Sequence, residues 1–278
     1  MARLELDQVK SAVQQLPSLP AVVLKVLQTF QQENPDVDLL VREISQDQAL
    51  ATRVLRLANS PFYGLQTKVG TLNDAMTVLG FRNVRAAVAG VAVMRCFAHN
   101  NYPNFDASAF WNHCTAVAIA SRAIARVSKQ PEELAFTAGL VHDIGALALL
   151  TGFPAEMAEV LGYAKDHDCM LREAERDVLG IDHAMVGETL LRHWHFPEAI
   201  CLAVRGHHDS VEFGGLADVV CVADVLIHAM AAAEGPNGRV PHLSDIPFNR
   251  LNLGVVKLKQ VMSEVARDFE PACQALAA

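Results

Sequence analysis

FTAGLVHDIGALALL, residues 136–150, decides the fold class. Apart from His142 and Asp143 it is made almost wholly of apolar and small residues, with none of the apolar–polar alternation a half-buried strand would show. Nowhere else in the chain is a period of two sustained, so the expected fold is all-α. The same stretch predicts a site. An ionisable pair inside an apolar helix is costly to bury unless it is paired or bound to a cation. Adjacent helical residues diverge by about 100°, so His142 and Asp143 converge on one centre only if an ion lies between them, with the carboxylate bridging two ions. Gly139 and Gly145 would let neighbouring helices approach closely there.

Working outward, helix signals dominate. Asn34-Pro35 offers an N-cap and a first-turn proline for a helix through Ile44. Ser45 is expected to cap the next helix, in which Leu50, Val54, Leu55 and Ala58 recur at helical spacing up to Asn59. Thr71 with Asp74 has the form of a capping box, and Gly80 is placed to end that helix. A further helix runs from about Arg82 towards His99. The polar segment His99–Asp106 is the best internal boundary. It separates about five short helices (lobe 1–105) from longer ones at roughly 107–127, 132–150, 155–167, 181–195, 197–206 and 214–233 (lobe 106–233). A second break, Glu234–Pro247, precedes a final amphipathic helix from about Asn249 to Phe269, in a tail (234–278) expected to pack on the second lobe.

The composition sets limits on function. With 23 basic and 31 acidic residues in 278 the net charge is −8, which argues against a broad nucleic-acid surface. A helix-turn-helix reading of the short helices around Ala49–Asn59 lacks a basic recognition helix. Half the residues are apolar, ample for a large core. The six cysteines are scattered without a C-x-x-C pair, so a thiolate metal site is unsupported and a reduced cytoplasmic protein is the expectation. The N-terminal MARLELDQVK has no apolar h-region. The most apolar long window is read as Phe213–Ala233, which Asp218, Asp224 and His228 interrupt, so a buried helix is expected rather than a membrane span.

The residues able to bind a metal gather after residue 106: His113 in FWNHCTAVA, His142 and Asp143, His183 in GIDHAMVGETLL, His207 and His208 in RGHHDS, and Asp224 in VCVADVLIHA. Imidazole and carboxylate donors together suit Fe, Mn, Zn or Mg. Each residue alone has a plainer explanation: His113 as a hydrogen-bonded core histidine, Asp224 as a cap or the partner of a surface base. His193 and His195 flank Trp194 but face apart on a helix, and are taken as surface or packing residues. His99, His167, His228 and His242 receive no role. Arg53, Arg56, Arg82 and Arg85 form a modest basic set, best explained as solvated helix faces.

His113, then His142-Asp143 within HDIG, then Asp224 resemble the H…HD…D signature of the HD superfamily of metal-dependent phosphohydrolases. More closely, Leu16 to about Asp209 resembles the HDOD domain, the HD-related output domain of bacterial signalling proteins. The resemblance is carried by LPSLPAVVLKVL, ISQDQALATRVLRLANSPFYG, TLNDAMTVLGFRNVRAAV, FWNHCTAVA, FTAGLVHDIGALAL, IDHAMVGETLLRHWHFPEAI and RGHHDS, in family order.

The resemblance implies two helical lobes, the second HD-like, and a cytoplasmic signal-transduction module that contacts other signalling proteins. It implies one or two divalent ions held by His113, His142, Asp143, His183, His207, His208 and Asp224. Asn59 and Ser60, in the shared ANSPFYG turn, are candidate partner contacts, although Asn also ends helices readily and Ser-Pro favours turns. The alternative is a phosphohydrolase acting on a nucleotide or cyclic dinucleotide, with Asp143 at its catalytic centre and a phosphate-containing ligand. Three departures weigh against that alternative. Hydrolytic HD-GYP relatives place a lysine after HDIG, where this chain has Ala146. No GYP-type loop lies between Gly152 and His183. A glutamate that some relatives carry one turn before the first histidine is Ala109 here.

Overall fold

The structure is a computed structural model describing residues 3–32, 35–60, 63, 65, 67–97, 105–234, 240–241 and 244–277. Its first helices are α1 (Leu6–Gln15), α2 (Ala21–Gln28) with a following 3-10 turn (Thr29–Gln31), α3 (Val37–Gln46), α4 (Gln48–Ala58), α5 (Leu72–Leu79) and α6 (Phe81–Phe97). Then come α7 (Ala107–Ser128), α8 (Glu132–Val141), α9 (Ile144–Gly152), α10 (Pro154–Asp166), α11 (Leu171–Leu179) and α12 (His183–His193). The chain continues through α13 (Glu198–Gly206), α14 (Ser210–Phe213), α15 (Leu216–Glu234), α16 (Asp245–Arg250) and α17 (Val255–Ala277). Among the described residues there is no strand, so the fold is all-α.

Local chemistry explains most of the boundaries. Thr71 and Asp74 form the expected capping box, and Gly80 ends α5 at φ +81°, a conformation costly for other residues. Two expected caps move. Asn34 lies outside the described residues, and the cap of α3 is Asp36, whose Oδ1 accepts from Leu39 N–H at 2.9 Å. Ser45 stays inside α3, its hydroxyl donating to Val41 O, while Asp47 caps α4 by accepting from Leu50 N–H at 2.9 Å. A carboxylate placed just before a helix takes the cap because it also opposes the helix dipole. Three longer-range expectations also change. The single helix expected at 132–150 is broken at His142-Asp143, α11 was not anticipated, and the last helix is α17 at Val255–Ala277, preceded by the separate α16. Residues 98–104 and 235–239, parts of the two expected breaks, lie outside the described residues.

One hydrophobic core runs from α1 to α17. Helix α6 is buried nearly all round from Val84 to Met94 and packs on both α4 and α8, joining the two halves of the chain. Helix α1 lies against α9 and α12, and Leu4 N–H donates to Leu179 O at 2.9 Å, so its contacts are with the second half of the sequence. Helix α17 packs on α7 and α4. Arg85, expected on a solvated face, is buried. Its guanidinium lies 3.7 Å from the centre of the Phe30 ring and donates to Thr29 O at 2.9 Å. The stretch long and apolar enough to cross a membrane is Glu132–Gly152, not Phe213–Ala233. Within the fold, 83% of its window is buried as the two helices α8 and α9.

Glycine sets the spacing around the break. A Cβ on Gly139 would meet Ala118 Cα at 2.9 Å and Val117 O at 2.9 Å. One on Gly145 would meet His183 O at 1.9 Å and Gly187 N at 2.5 Å. These contacts press α8 onto α7 and α9 onto α12, the close approach expected of the two glycines.

Candidate metal centre

Five elements converge on one centre. His113 projects from α7, His142 and Asp143 occupy the turn between α8 and α9, and His183 opens α12. His207 and His208 follow the end of α13, and Asp224 lies within α15. All seven residues singled out in the sequence meet there, in two groups. In the first, Asp224 Oδ1 lies 3.1 Å from His113 Nε2 and 3.7 Å from His142 Nε2. In the second, His183 Nε2 lies 2.9 Å from His208 Nε2, and Asp143 Oδ1 lies 3.2 Å from His183 Nε2 and 3.5 Å from His207 Nε2. Within each group the donor atoms all lie within 4.8 Å of one another.

Asp143 stands between the groups and divides its oxygens. Oδ1 faces His183 and His207, while Oδ2 lies 3.2 Å from His142 Nε2 and 3.9 Å from His113 Nε2. The break in the helix makes this possible. Asp143 leaves helical geometry (φ −96°, ψ 9°), so it is no longer fixed at the angular offset from His142 that a continuous helix would impose.

Backbone and buried carboxylate contacts fix which nitrogen of each ring faces inward. His142 Nδ1–H donates to Gly139 O at 2.8 Å, and His207 Nδ1–H donates to Val204 O at 2.7 Å. A carbonyl only accepts, so in the neutral rings the protons sit on Nδ1 and the Nε2 lone pairs point into the centre. His183 Nδ1–H donates to Glu175 Oε2 at 2.6 Å, and the same oxygen takes the backbone N–H of His183 at 2.8 Å. Glu175 is fully buried on α11. A carboxylate behind a ligating imidazole is a common support of metal-binding histidines.

Electrostatics and hydrogen bonding test the fit. Buried with no hydrogen-bond partner are His142 Nε2, His207 Nε2 and Asp224 Oδ1, all aimed at the centre. Such atoms are costly to leave unpaired. Burial pushes the Asp143 carboxyl up, but His142, His183 and His207 outweigh this and hold it well below the usual carboxylate range. Burial raises the Asp224 carboxyl too, and His113 and His142 reverse the shift. Burial disfavours charge on His142 and His183, yet Asp143 beside the first and Glu175 and Asp143 beside the second raise both rings above the ordinary value. Burial lowers His207 and His208, with the neighbouring histidines adding to it for His208. Anionic carboxylates thus draw positive charge into a buried pocket of lone pairs. The His and Asp groups are placed to hold a divalent metal, and the donor set fits one.

Over the centre opens a cavity of about 340 Å³, walled by Met170, Leu171, Arg172, Val225, His228 and Pro241. Three features of the centre and its cavity were not found in the sequence. Glu175 is hidden in the highly charged LREAERDVL, where it resembles a surface residue. Arg172 lines the wall but is held by Asp182 Oδ2 at 3.3 Å and by Asp209. His228, given no role, brings its Nε2 to 3.4 Å from Asp224 Oδ1. Its spacing of four from Asp224 on one helix was the available signal. The other histidines are elsewhere: His167, His193 and His195 are exposed, and His99 and His242 lie outside the described residues.

At the ANSPFYG turn, Asn59 Nδ2 donates to Leu55 O at 2.9 Å and Val69 O at 2.8 Å, while its Oδ1 accepts from Val69 N–H at 2.8 Å. Ser60 is buried and donates to Leu57 O at 2.7 Å. Both side chains serve the turn's own backbone. Pro61, Phe62 and Gly64 lie outside the described residues.

A family model described as the HDOD domain matches residues 16–210. This chain belongs to the HDOD family. Among solved structures, the HDOD protein resembles a candidate phosphohydrolase from Shewanella amazonensis SB2B, with 25% identity, 97% of this chain and 98% of that chain covered, and a TM-score of 0.79. It shares its fold with an HDOD domain protein of unknown function from Geobacter sulfurreducens (21% identity, 98% of each chain, TM-score 0.78). The same holds for a candidate signal transduction protein from Marinobacter aquaeolei VT8 (22%, 98% of this chain and 65% of that chain, TM-score 0.76). An uncharacterized protein of Treponema pallidum (strain Nichols) is 22% identical over 271 residues, 95% of this HDOD chain. The chain spans about half the length of that curated relative.

Proposed function

We propose that this HDOD protein is a cytoplasmic signal-transduction module that acts through contacts with other proteins, and that its centre holds two divalent ions bridged by Asp143. His113, His142 and Asp224 would hold one ion, and His183, His207 and His208 the other. The bridging role rests on the division of the Asp143 oxygens between the two groups. Divalent ions there would supply Lewis-acid charge and a bound water of lowered pKa.

One observation favours a module over an enzyme. Phosphodiester cleavage needs cations aimed at the transferring phosphoryl group. Ala146, at the position of the hydrolases' lysine, is buried in α9. Among the described residues lining the cavity, Arg172 is the single lysine or arginine, and it is already paired with Asp182 and Asp209. Two observations support the second reading, a phosphohydrolase: the cavity above the two groups, and the candidate activity in the Shewanella relative's name. In that reading Arg172 turns from its carboxylates to a phosphate and Asp143 positions the reacting centre.

The assay that separates them is hydrolysis of nucleotides and cyclic dinucleotides by the unmodified chain with Mn, Fe or Mg. The module reading expects little or no turnover. Robust turnover that disappears in Asp143→Ala would establish the hydrolase.

A further inference from the structure

Asp224 Oδ1 is buried and accepts no hydrogen bond, yet three imidazole nitrogens surround it. His113 Nε2 lies at 3.1 Å, His228 Nε2 at 3.4 Å and His142 Nε2 at 3.7 Å. Donors bound to one ion at about 2.1 Å sit roughly 3.0 Å apart at right angles and roughly 3.4 Å apart at tetrahedral angles. The His113 and His228 separations are near these values and the His142 one is somewhat longer, and Asp224 Oδ1 is left without a hydrogen-bond partner. We propose that His228 is a further protein ligand of the first ion, with His113, His142 and Asp224, and that it closes that ion's solvent-facing side.

The placement supports this. His228 is one turn beyond Asp224 on α15, so both side chains leave the helix on one face. Its ring centre lies 4.9 Å from that of His113 on α7. It also forms part of the cavity wall, its side chain 33% exposed, on the side from which water or a substrate would reach the ion. With His228 bound and Asp143 Oδ2 beside it, the first ion would have three nitrogen and two carboxylate donors from the protein. Catalytic ions keep an open position, and structural ones are closed by protein donors. His228 therefore makes the first ion a holding site, consistent with a module whose metal stabilises or senses rather than turns over.

The inference rests on the two-ion reading, and the experiment separates the two. The full chain is stripped, reloaded with zinc, and titrated with a competing chelator while metal content is counted. The parent chain should release its two ions in separable steps. His228→Gln should weaken one step by roughly tenfold or more and leave the other unchanged, with helicity by circular dichroism retained. His208→Gln should weaken the complementary step. In the zinc-loaded parent chain, long-range 1H–15N NMR should show the His228 ring as metal-bound, a result that does not depend on any variant folding. Two unaltered steps in His228→Gln, or a His228 ring with free-imidazole shifts in the loaded parent, would overturn the inference while leaving the two-ion reading standing. A parent chain that binds no zinc would overturn both.

Discussion

Gly145→Ala is the smallest change that should dismantle half of the centre. Its Cβ would lie 1.9 Å from His183 O, 2.5 Å from Gly187 N and 2.8 Å from His183 C. All three atoms are backbone, so no side-chain rotation relieves the clash. Restoring an ordinary contact of about 3.4 Å requires α9 and α12 to separate by roughly 1.5 Å. His183 opens α12, and its Nε2 is now 3.2 Å from Asp143 Oδ1. Moved by that amount, the pair would be about 4.7 Å apart, beyond the roughly 4.2 Å that two metal–ligand bonds can span. Overpacking of this kind costs about 1–3 kcal/mol, with a backbone clash at the upper end. For a chain of this size, about 3 kcal/mol lowers Tm by roughly 6–12 °C. Calorimetry and metal analysis of the variant should therefore show both a lower Tm and loss of the ion held by His183, His207 and His208. Gly162→Ala is the control: it is exposed in α10 with nothing within 4 Å of its Cβ position, and should raise stability by about 0.5–1 kcal/mol. A Gly145→Ala protein with native Tm and full metal content would refute the close-approach reasoning.

Further outcomes follow from the same contacts. Glu175→Gln keeps an acceptor for His183 but removes the charge behind it, and should lower affinity for the second ion by about 10–100-fold in chelator competition with helicity unchanged. Burial pushes the Asp182 carboxyl up, but Met185 N–H, His183, Arg176 and Arg172 hold it down to about 2. Because its folded value is below the ordinary 3.8, the stability it contributes, about 2 kcal/mol, is fully present above pH 4 and lost as pH falls through 2. Asp182→Asn should flatten that part of the acid-unfolding profile. Asn59→Ala removes three hydrogen bonds, two of them holding Val69 to the end of α4 and one to Leu55 O, and should lower stability by about 2–3 kcal/mol in urea unfolding. A partner contact with no structural role would leave the urea midpoint in place.

The donors were legible in the sequence because apolar surroundings make buried histidine and aspartate conspicuous. His113, His142, His183, His207 and Asp224 lie in or beside apolar helices, and the family order of the segments placed them in one lobe. Their supports were not legible. Glu175 sits in a helix whose charged composition matches a solvated face, and only the packing of α11 on the site buries it. The break at Asp143 was hidden because no proline or turn dipeptide interrupts the apolar run. Tertiary contacts at Gly139 and Gly145 set the local geometry instead. Caps at Asp36 and Asp47 were displaced by a few residues for a local reason: several polar residues near each helix start compete for the same backbone N–H groups. Arg85 looked solvated because sequence spacing does not show the Phe30 ring that covers it.

The central claim is that Asp143 joins two metal sites. Its most direct test is metal stoichiometry of the purified chain after reconstitution, beside Asp143→Ala. The account predicts two divalent ions per parent chain, falling together in the variant while most helicity remains, and occupancy that drops on acidification as the imidazoles take up protons. A parent chain that retains no divalent ion, or an Asp143→Ala variant that retains both, would contradict it.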